Sequence, residues 1–330
     1  MRRLLLTGAS GFIGTNLLEN WRGQYEEILN LDVRPPLDAA HQSFWLKADL
    51  LLPAEWNRRI ADFQPTEVIH LAARTDMDEK TTPGSGYRVN IEGTRNLLHS
   101  LANLSSVQRF ILISSQFVCG PAHIPRHDTD YAPVTVYGQS KVEAEKVLRH
   151  FRIPFPWIIA RPTNVWGPWH PRYPQEFWKV LQKGWYVHPS GSPVRRAYAF
   201  VDTVLHQLQQ ILSLPGERVA GQTFYLSDPV DDIAHWVDAF SCALRGRPAR
   251  RIPRQLLFAL GRAGDAIEAL TRQPFYLNSS RARSMTTDYV VPLDKSLAIL
   301  GRGPISLEGG VKRTVTWLRE SYPDLFFSAK

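Results

Sequence analysis

The sequence predicts a doubly wound parallel α/β sheet with a smaller C-terminal α/β lobe, on three observations. Short apolar runs alternate with amphipathic stretches through the first half of the chain, a glycine trio follows the first run, and the rhythm changes past Pro162. Steady alternation of strand and helix gives a parallel sheet covered on both faces.

Strands are expected at Arg3–Thr7, Glu27–Asp32, Phe44–Ala48, Glu67–Leu71, Arg109–Ser114 and Trp157–Arg161, where the apolar runs lie. Helices are expected at Ile13–Trp21, Ala54–Phe63, Tyr87–Leu101 and Ser140–Phe151, where apolar residues recur at helical spacing. Past Pro162, proline and tryptophan crowd together (Trp166, Pro168, Trp169, Pro171, Pro174), and long helical patterns dominate after Asp231. The expected division is therefore residues 1–165 and 166–330, with the chain crossing back to the sheet within 198–230, near Phe224–Leu226. The stretch Ile252–Leu270 sets Leu256, Leu257, Leu260, Ile267 and Leu270 on one helical face, with Arg254 and Arg262 elsewhere. Packing against the lobe is the expected role of that face, and a membrane-surface position is the other reading.

With 44% hydrophobic and 21% charged residues, the 330-residue chain has the composition of an ordinary globular protein. The net charge of +8 favours anionic partners. No dense Lys/Arg run with interleaved aromatics occurs, so nucleic acid is not expected and a phosphorylated small molecule is. Cys119 and Cys242 are too few for a disulfide framework or a Cys-rich zinc site, and no metal is expected. The apolar run Leu4–Leu6 is too short for a signal peptide, and no run of about 18 apolar residues occurs to span a membrane. A cytoplasmic location is expected.

Thr7-Gly8-Ala9-Ser10-Gly11-Phe12-Ile13-Gly14 lies between the first strand and the first helix. Glycines there let the backbone turn tightly and approach a pyrophosphate, toward which the helix presents N–H groups and partial positive charge. The spacing is G-x-x-G-x-x-G, one residue longer than the Rossmann G-x-G-x-x-G. Asp32 closes the second strand, 18 residues after Gly14, where a carboxylate can accept both ribose hydroxyls of NAD and repel the 2′-phosphate of NADP. NAD is expected over NADP, although Arg34 is placed to neutralise such a phosphate. Asp49, after the third strand, can accept from the adenine amino group or serve as a loop aspartate.

Ser114-Ser115 ends the fifth strand, and Tyr137 and Lys141 open the next helix four residues apart, on one face. An ammonium beside a phenol favours phenolate, which suits Tyr137 to proton exchange near neutral pH. Lys141 can also hold a ribose, and Ser115 can donate to the substrate oxygen whose proton Tyr137 takes.

These features resemble the extended short-chain dehydrogenase/reductase family, in its nucleotide-sugar epimerase/dehydratase branch. The resemblance also runs through His70-Leu-Ala-Ala73, Asn90-Ile-Glu-Gly-Thr94, Arg161-Pro-Thr-Asn-Val-Trp-Gly-Pro168 and Ser306-Leu-Glu-Gly-Gly310 with Trp317. It implies a Rossmann sheet of six or seven strands with a small substrate lobe. It implies catalysis by Ser115, Tyr137 and Lys141. It implies a cofactor groove of Gly8, Ser10, Gly11, Phe12, Ile13, Gly14, Asp32, Asp49, Leu50, Leu71, Ala72, Ala73, Asn90 and Ser114, with Tyr137 and Lys141. Thr75, Gln116, Asn164 and Arg196 fall where the family meets a nucleotide-diphosphate sugar, and Arg161 is structural. The stretch Arg74–Asp78 is similar to members serving surface-polysaccharide synthesis. A homodimer is implied, pairing through Tyr87–Leu101 and Ser140–Phe151.

The departures narrow the chemistry. Family 4,6-dehydratases carry an Asp-Glu pair after the catalytic Ser/Thr, and here Gln116 and Phe117 stand there, neither able to transfer protons. Cys119 replaces a usual tyrosine and is expected as a small buried hydrophobe. His170 is expected as a surface histidine, with a general-acid role as its other reading. The expected activity is NAD-dependent epimerisation of a nucleotide-diphosphate sugar. The alternatives are a reductase or dehydrogenase of a keto-sugar nucleotide or hydrophobic alcohol, and a non-catalytic NAD-sensing module, which the presence of both Tyr137 and Lys141 disfavours.

Overall fold

The computed structural model describes residues 2–273 and 275–327. The chain divides into two compact units, the first built from Met1–Val165, Ala199–Asp228 and Val291–Pro304 and the second from the rest.

The first unit holds a seven-stranded sheet: β1 (Arg3–Thr7), β2 (Glu27–Asp32), β3 (Trp45–Lys47), β4 (Glu67–His70), β5 (Arg109–Ile113), β6 (Trp157–Pro162) and β7 (Thr223–Leu226). Their order is β7-β6-β5-β4-β1-β2-β3, and every pairing is parallel. This is the expected doubly wound sheet. A parallel sheet buried on both faces needs strands that are apolar throughout, and Leu4, Leu5 and Leu6 of β1 are all fully buried. Alternate residues face opposite sides. Leu4 and Leu6 pack with Leu17, Leu18, Val204 and Leu208, while Leu5 packs with Ile60, Leu97, Leu98 and Leu101. Strand order reverses between β1 and β4, so the carboxyl ends of these two strands border the crevice where such sheets bind ligands.

Around the sheet run α1 (Phe12–Trp21), α2 (Asn57–Phe63), α3 (Thr94–Leu101), α4 (Val136–His150) and α5 (Val201–Ser213). The third strand starts one residue later than expected because Phe44 closes a 3-10 turn, Ala39–Phe44. The expected helix Tyr87–Leu101 is interrupted by a π-turn at Val89–Gly93 before α3 begins. Helix α4 starts at Val136 rather than Ser140, because Thr135 caps it by accepting from the Gly138 N–H at 3.0 Å. Tyr137 therefore sits in its first turn.

The second unit contains α6 (Ile233–Arg245), α7 (Arg254–Thr271), α8 (Ser279–Ser284) and α9 (Leu307–Ser321). Its aromatic cluster includes Phe177 stacked on Trp236 at 4.9 Å and Trp166 edge-on to Phe240 at 5.4 Å. Among the described residues no helix is long and apolar enough to cross a membrane.

Candidate active site

The glycine loop is fixed by contacts that admit no side chain. Gly8 has φ +75°, and a Cβ on it would lie 2.4 Å from the Ala72 Cα. A Cβ on Gly14 would lie 2.2 Å from the Ala9 Cα. These approaches bring the loop against the carboxyl end of β4 and seat α1 against the loop. Gly11 is the N-cap of α1 and no side chain caps that end, so backbone N–H groups of the first turn border the cradle with Ser10, Phe12 and Ile13. Asn30, fully buried in β2, holds the loop from below. Its Oδ1 accepts from the Ala9 N–H at 3.0 Å, and its Nδ2 donates to the Ser10 Oγ at 3.2 Å. Sequence reasoning passed over Asn30, although a carboxamide inside the apolar run Glu27–Asp32 was the available signal.

Asp32 stands at the end of β2, where its Oδ2 accepts from the Ser10 N–H at 3.1 Å and its Oδ1 from the Arg34 N–H at 3.0 Å. The carboxylate is thereby oriented beside the glycine loop, and Arg34 gives it a backbone rather than a side-chain contact. Asp49 closes a turn by accepting from the Leu51 N–H at 2.9 Å. The Leu50 side chain is buried in the sheet core, and its carbonyl accepts from the Asn96 Nδ2 at 2.8 Å.

A buried polar chain joins β1 and β4 to α3. The Thr94 hydroxyl donates to the Asn90 carbonyl at 2.7 Å, so the His70 Nε2–H donates to Thr94 at 2.9 Å. The His70 Nδ1 then accepts from the Thr7 hydroxyl at 2.6 Å, and Thr7 accepts from the Ala72 N–H at 3.3 Å. Burial, followed by the Lys141 charge, lowers the His70 pKa to about 3, so the ring is neutral. Asn90 lies in the π-turn and is itself buried. Its Oδ1 accepts from the Arg74 N–H at 2.8 Å, and its Nδ2 donates to the Ser140 Oγ at 2.8 Å. Leu71 and Ala73 are half-buried on the segment leaving β4, and Thr75 is exposed.

Ser115 follows β5, and its Oγ accepts from the Phe117 N–H at 3.2 Å, which leaves the hydroxyl hydrogen free to donate. Helix α4 presses on this turn: a Cβ on Gly138 would lie 2.2 Å from the Phe117 carbonyl oxygen. The Tyr137 ring accordingly lies 6.0 Å from the Phe117 ring, edge-on. One helical turn on, the buried Lys141 Nζ donates to the Ile113 carbonyl at 2.9 Å and sits 6.0 Å from the Tyr137 ring centroid. Burial pulls its pKa down to about 8, with the Glu145 carboxylate opposing. The structure thus brings Ser115, Tyr137 and Lys141 together at the end of β5. Gln116 is fully buried beside them.

Beneath this site, Ser114 donates to the Glu145 Oε1 at 2.6 Å. Glu145 also accepts from the Arg161 Nε at 2.8 Å, from its Nη2 at 2.7 Å and from the Tyr131 hydroxyl at 2.9 Å. Both ions are buried, so Arg161 is structural, as expected. Glu145 was missed in the sequence because its partners lie on other elements. Cys119 is fully buried with its thiol directed at the Asp130 carbonyl, and burial raises its pKa.

His170 corrects an expectation. It is buried rather than on the surface, stacked on Tyr173 at 3.8 Å, and its Nδ1 accepts from the Arg172 and Tyr173 N–H groups. Burial pulls its pKa down to about 3. A neutral ring whose basic nitrogen is already engaged is a poor general acid. Asn164 is half-buried two residues past β6. Arg196 lies in the second unit and lines a cavity of about 270 Å³ with Arg281, Glu176 and several aromatic residues. There its guanidinium donates to the Ser284 carbonyl. Among the described residues no cluster of His, Cys, Asp and Glu is arranged to hold a metal.

Among curated relatives, the UDP-glucose 4-epimerase of Vibrio cholerae is 29% identical over 264 residues, covering 76% of this chain and 78% of that protein. The N-acetyl-alpha-D-glucosaminyl-diphospho-ditrans,octacis-undecaprenol 4-epimerase of Escherichia coli O157:H7 is 25% identical over 324 residues, covering 95% and 94%. The solved UDP-glucose 4-epimerase of Thermotoga maritima with UDP-glucose shares the fold at a TM-score of 0.72 and 20% identity, over 97% of this chain and 99% of that one. The sequence matches the family described as NAD dependent epimerase/dehydratase over residues 4–183, more than half of its length, and the chain belongs to that family.

Proposed function

We propose that this protein is an NAD-dependent epimerase of a nucleotide-diphosphate sugar, working in surface-polysaccharide synthesis. The observation that carries the reading is the grouping of the Ser115 hydroxyl, the Tyr137 phenol and the buried Lys141 ammonium at the end of β5. The cradle of Gly8, Ser10, Gly11, Phe12, Ile13 and Gly14 fits a dinucleotide pyrophosphate, because no side chain caps the start of α1 and the backbone N–H groups of its first turn border the cradle. Asp32 would hold the adenosine ribose, Asp49 with Leu50 the adenine, and Leu71, Ala72, Ala73, Asn90 and Ser114 would line the groove. When bound, NAD supplies hydride acceptance at a sugar carbon and its return.

The protein's own residues move the proton. Tyr137 takes it from the sugar hydroxyl and gives it back, and Ser115 donates to the same oxygen. Lys141, charged below about pH 8, favours the phenolate. Gln116 and Phe117 give no acid or base for eliminating water, which favours epimerisation over dehydration. Thr75, Gln116, Asn164 and Arg196 are assigned to the substrate. The relatives' names support a diphosphate-linked sugar, borne by UDP in one and by a polyprenol in the other. We assign the protein to the cytoplasm, as a homodimer pairing through the 87–101 segment and α4.

The test is incubation with UDP-glucose and other nucleotide sugars, with the epimer followed by chromatography and the purified protein's bound nucleotide identified by mass spectrometry. Tyr137→Phe should slow turnover by about 10²–10⁴ while retaining NAD. Wild-type turnover in that variant would remove Tyr137 from the mechanism. Stoichiometric consumption of added NAD with an alcohol substrate would favour the dehydrogenase alternative.

A further inference from the structure

Helix α7 buries a narrow face and leaves a second apolar face uncovered. Its buried residues are Leu257, Gly261 and Gly264. Glycine brings this face close to its neighbours: a Cβ on Gly261 would lie 3.1 Å from the Ala282 Cβ, and one on Gly264 1.9 Å from the Leu277 carbonyl oxygen. The helix is therefore held in one rotational setting. Its acids help to hold it, since the Asp265 Oδ1 accepts from the Ser279 N–H at 3.0 Å and the Glu268 Oε1 from the Phe275 N–H at 2.7 Å.

In that setting Leu256, Leu260, Ile267 and Leu270 stand 47%, 40%, 38% and 85% exposed. With Ala263 they recur at steps of four and three residues, which aligns them along one side of a helix. Exposed Ala259 and Ala266 flank the stripe, so no charged residue interrupts it. Basic residues flank the helix in the sequence. Arg245, Arg247, Arg250, Arg251 and Arg254 crowd the approach to the helix, Arg262 lies on its flank, and Arg272 follows its end. Arg251 is paired with Asp238, whereas Arg247, Arg250, Arg262 and Arg272 are exposed.

We propose that this face of α7 rests on the surface of an anionic phospholipid bilayer, with the stripe entering the headgroup boundary and the arginines meeting lipid phosphates. Interfacial helices combine an apolar side with basic flanks in this way, and each basic residue near an anionic surface adds to the attraction. The charge pattern opposes pairing with a second copy. A second copy would bring the same basic segment and no counter-charge for the exposed Arg247, Arg250, Arg262 and Arg272. An anionic surface supplies that counter-charge.

Flotation of the full chain with vesicles tests this without substrate or NAD, so its outcome is independent of the catalytic assignment. The protein should float with phosphatidylglycerol vesicles, much less with phosphatidylcholine vesicles, and should be progressively released by salt. The exposed-site variant Leu260→Glu with Ile267→Glu should keep its melting temperature and lose at least about tenfold in vesicle binding. Arg247→Glu with Arg250→Glu should weaken binding to phosphatidylglycerol and leave the weak phosphatidylcholine binding unchanged. Failure to float with phosphatidylglycerol overturns the proposal, as does flotation indifferent to the Leu260/Ile267 substitutions. A dimer in sedimentation velocity that those substitutions dissolve, without vesicle binding, would assign the stripe to a second copy.

Discussion

Replacing Lys141 by Met removes an ammonium that the fold buries and keeps an unbranched side chain of similar length. Burial carries this lysine from its ordinary value near 10.5 down to about 8. A gap of about 2.5 pH units corresponds to ~3 kcal/mol of destabilisation while the group is charged in both states. Against this, the substitution loses the hydrogen bond to the Ile113 carbonyl, which removes ~1–3 kcal/mol for a charged donor. The variant should therefore lie between equal stability and ~2 kcal/mol greater stability than the parent at pH 7. The sign with pH follows from proton counting. Between about pH 8 and 10.5 the unfolded lysine holds more proton than the folded one. The parent's stability relative to the variant must then rise with pH across that window. Urea denaturation followed by tryptophan fluorescence at pH 7, 9 and 10 measures this, alongside turnover, which should fall by at least about 10². A variant more than about 2 kcal/mol less stable at pH 7, or a difference flat with pH, would refute the reasoning.

Gly8→Ala should abolish NAD retention and lower stability by at least ~2 kcal/mol, because a Cβ meets the Ala72 backbone at a φ that disfavours side chains; mass spectrometry and thermal melting check both parts. Glu145→Gln leaves the Arg161 guanidinium buried without its counter-charge, so a loss of ~3–5 kcal/mol is expected in urea denaturation. Asp32→Ser should narrow the preference for NAD over NADP by about tenfold or more in titration of coenzyme binding, and an unchanged ratio would take Asp32 out of coenzyme selection.

Features set by neighbouring residues were legible in the sequence. The buried run Leu4–Leu6, the glycines before α1 and the four-residue step from Tyr137 to Lys141 each express a local rule of geometry, and each can be read without knowing the rest of the chain. Features set by distant partners were not legible. Glu145 meets Arg161 across 16 residues and two elements, and its neighbours in α4 give no hint of a buried acid. His170 is buried because Tyr173 and Trp178 close over it, and histidine's usual exposure pointed the other way. The return of Val291–Pro304 to the first unit likewise has no periodicity to announce it. On α7 the apolar pattern was legible, but which side of the helix the lobe would cover depended on Gly261 and Gly264 reaching Asn278, Leu277 and Ala282.

The wide turn at Val89–Gly93 places Asn90 between the Arg74 backbone and Ser140 while Thr94 still meets His70. Such a turn carries one more residue than an α-helical turn, and each residue advances a helix by ~100°. Deleting a single residue there would rotate Asn90 away from one set of partners whichever side of the turn closed up. The number of residues in this stretch is thus constrained more tightly than their identity.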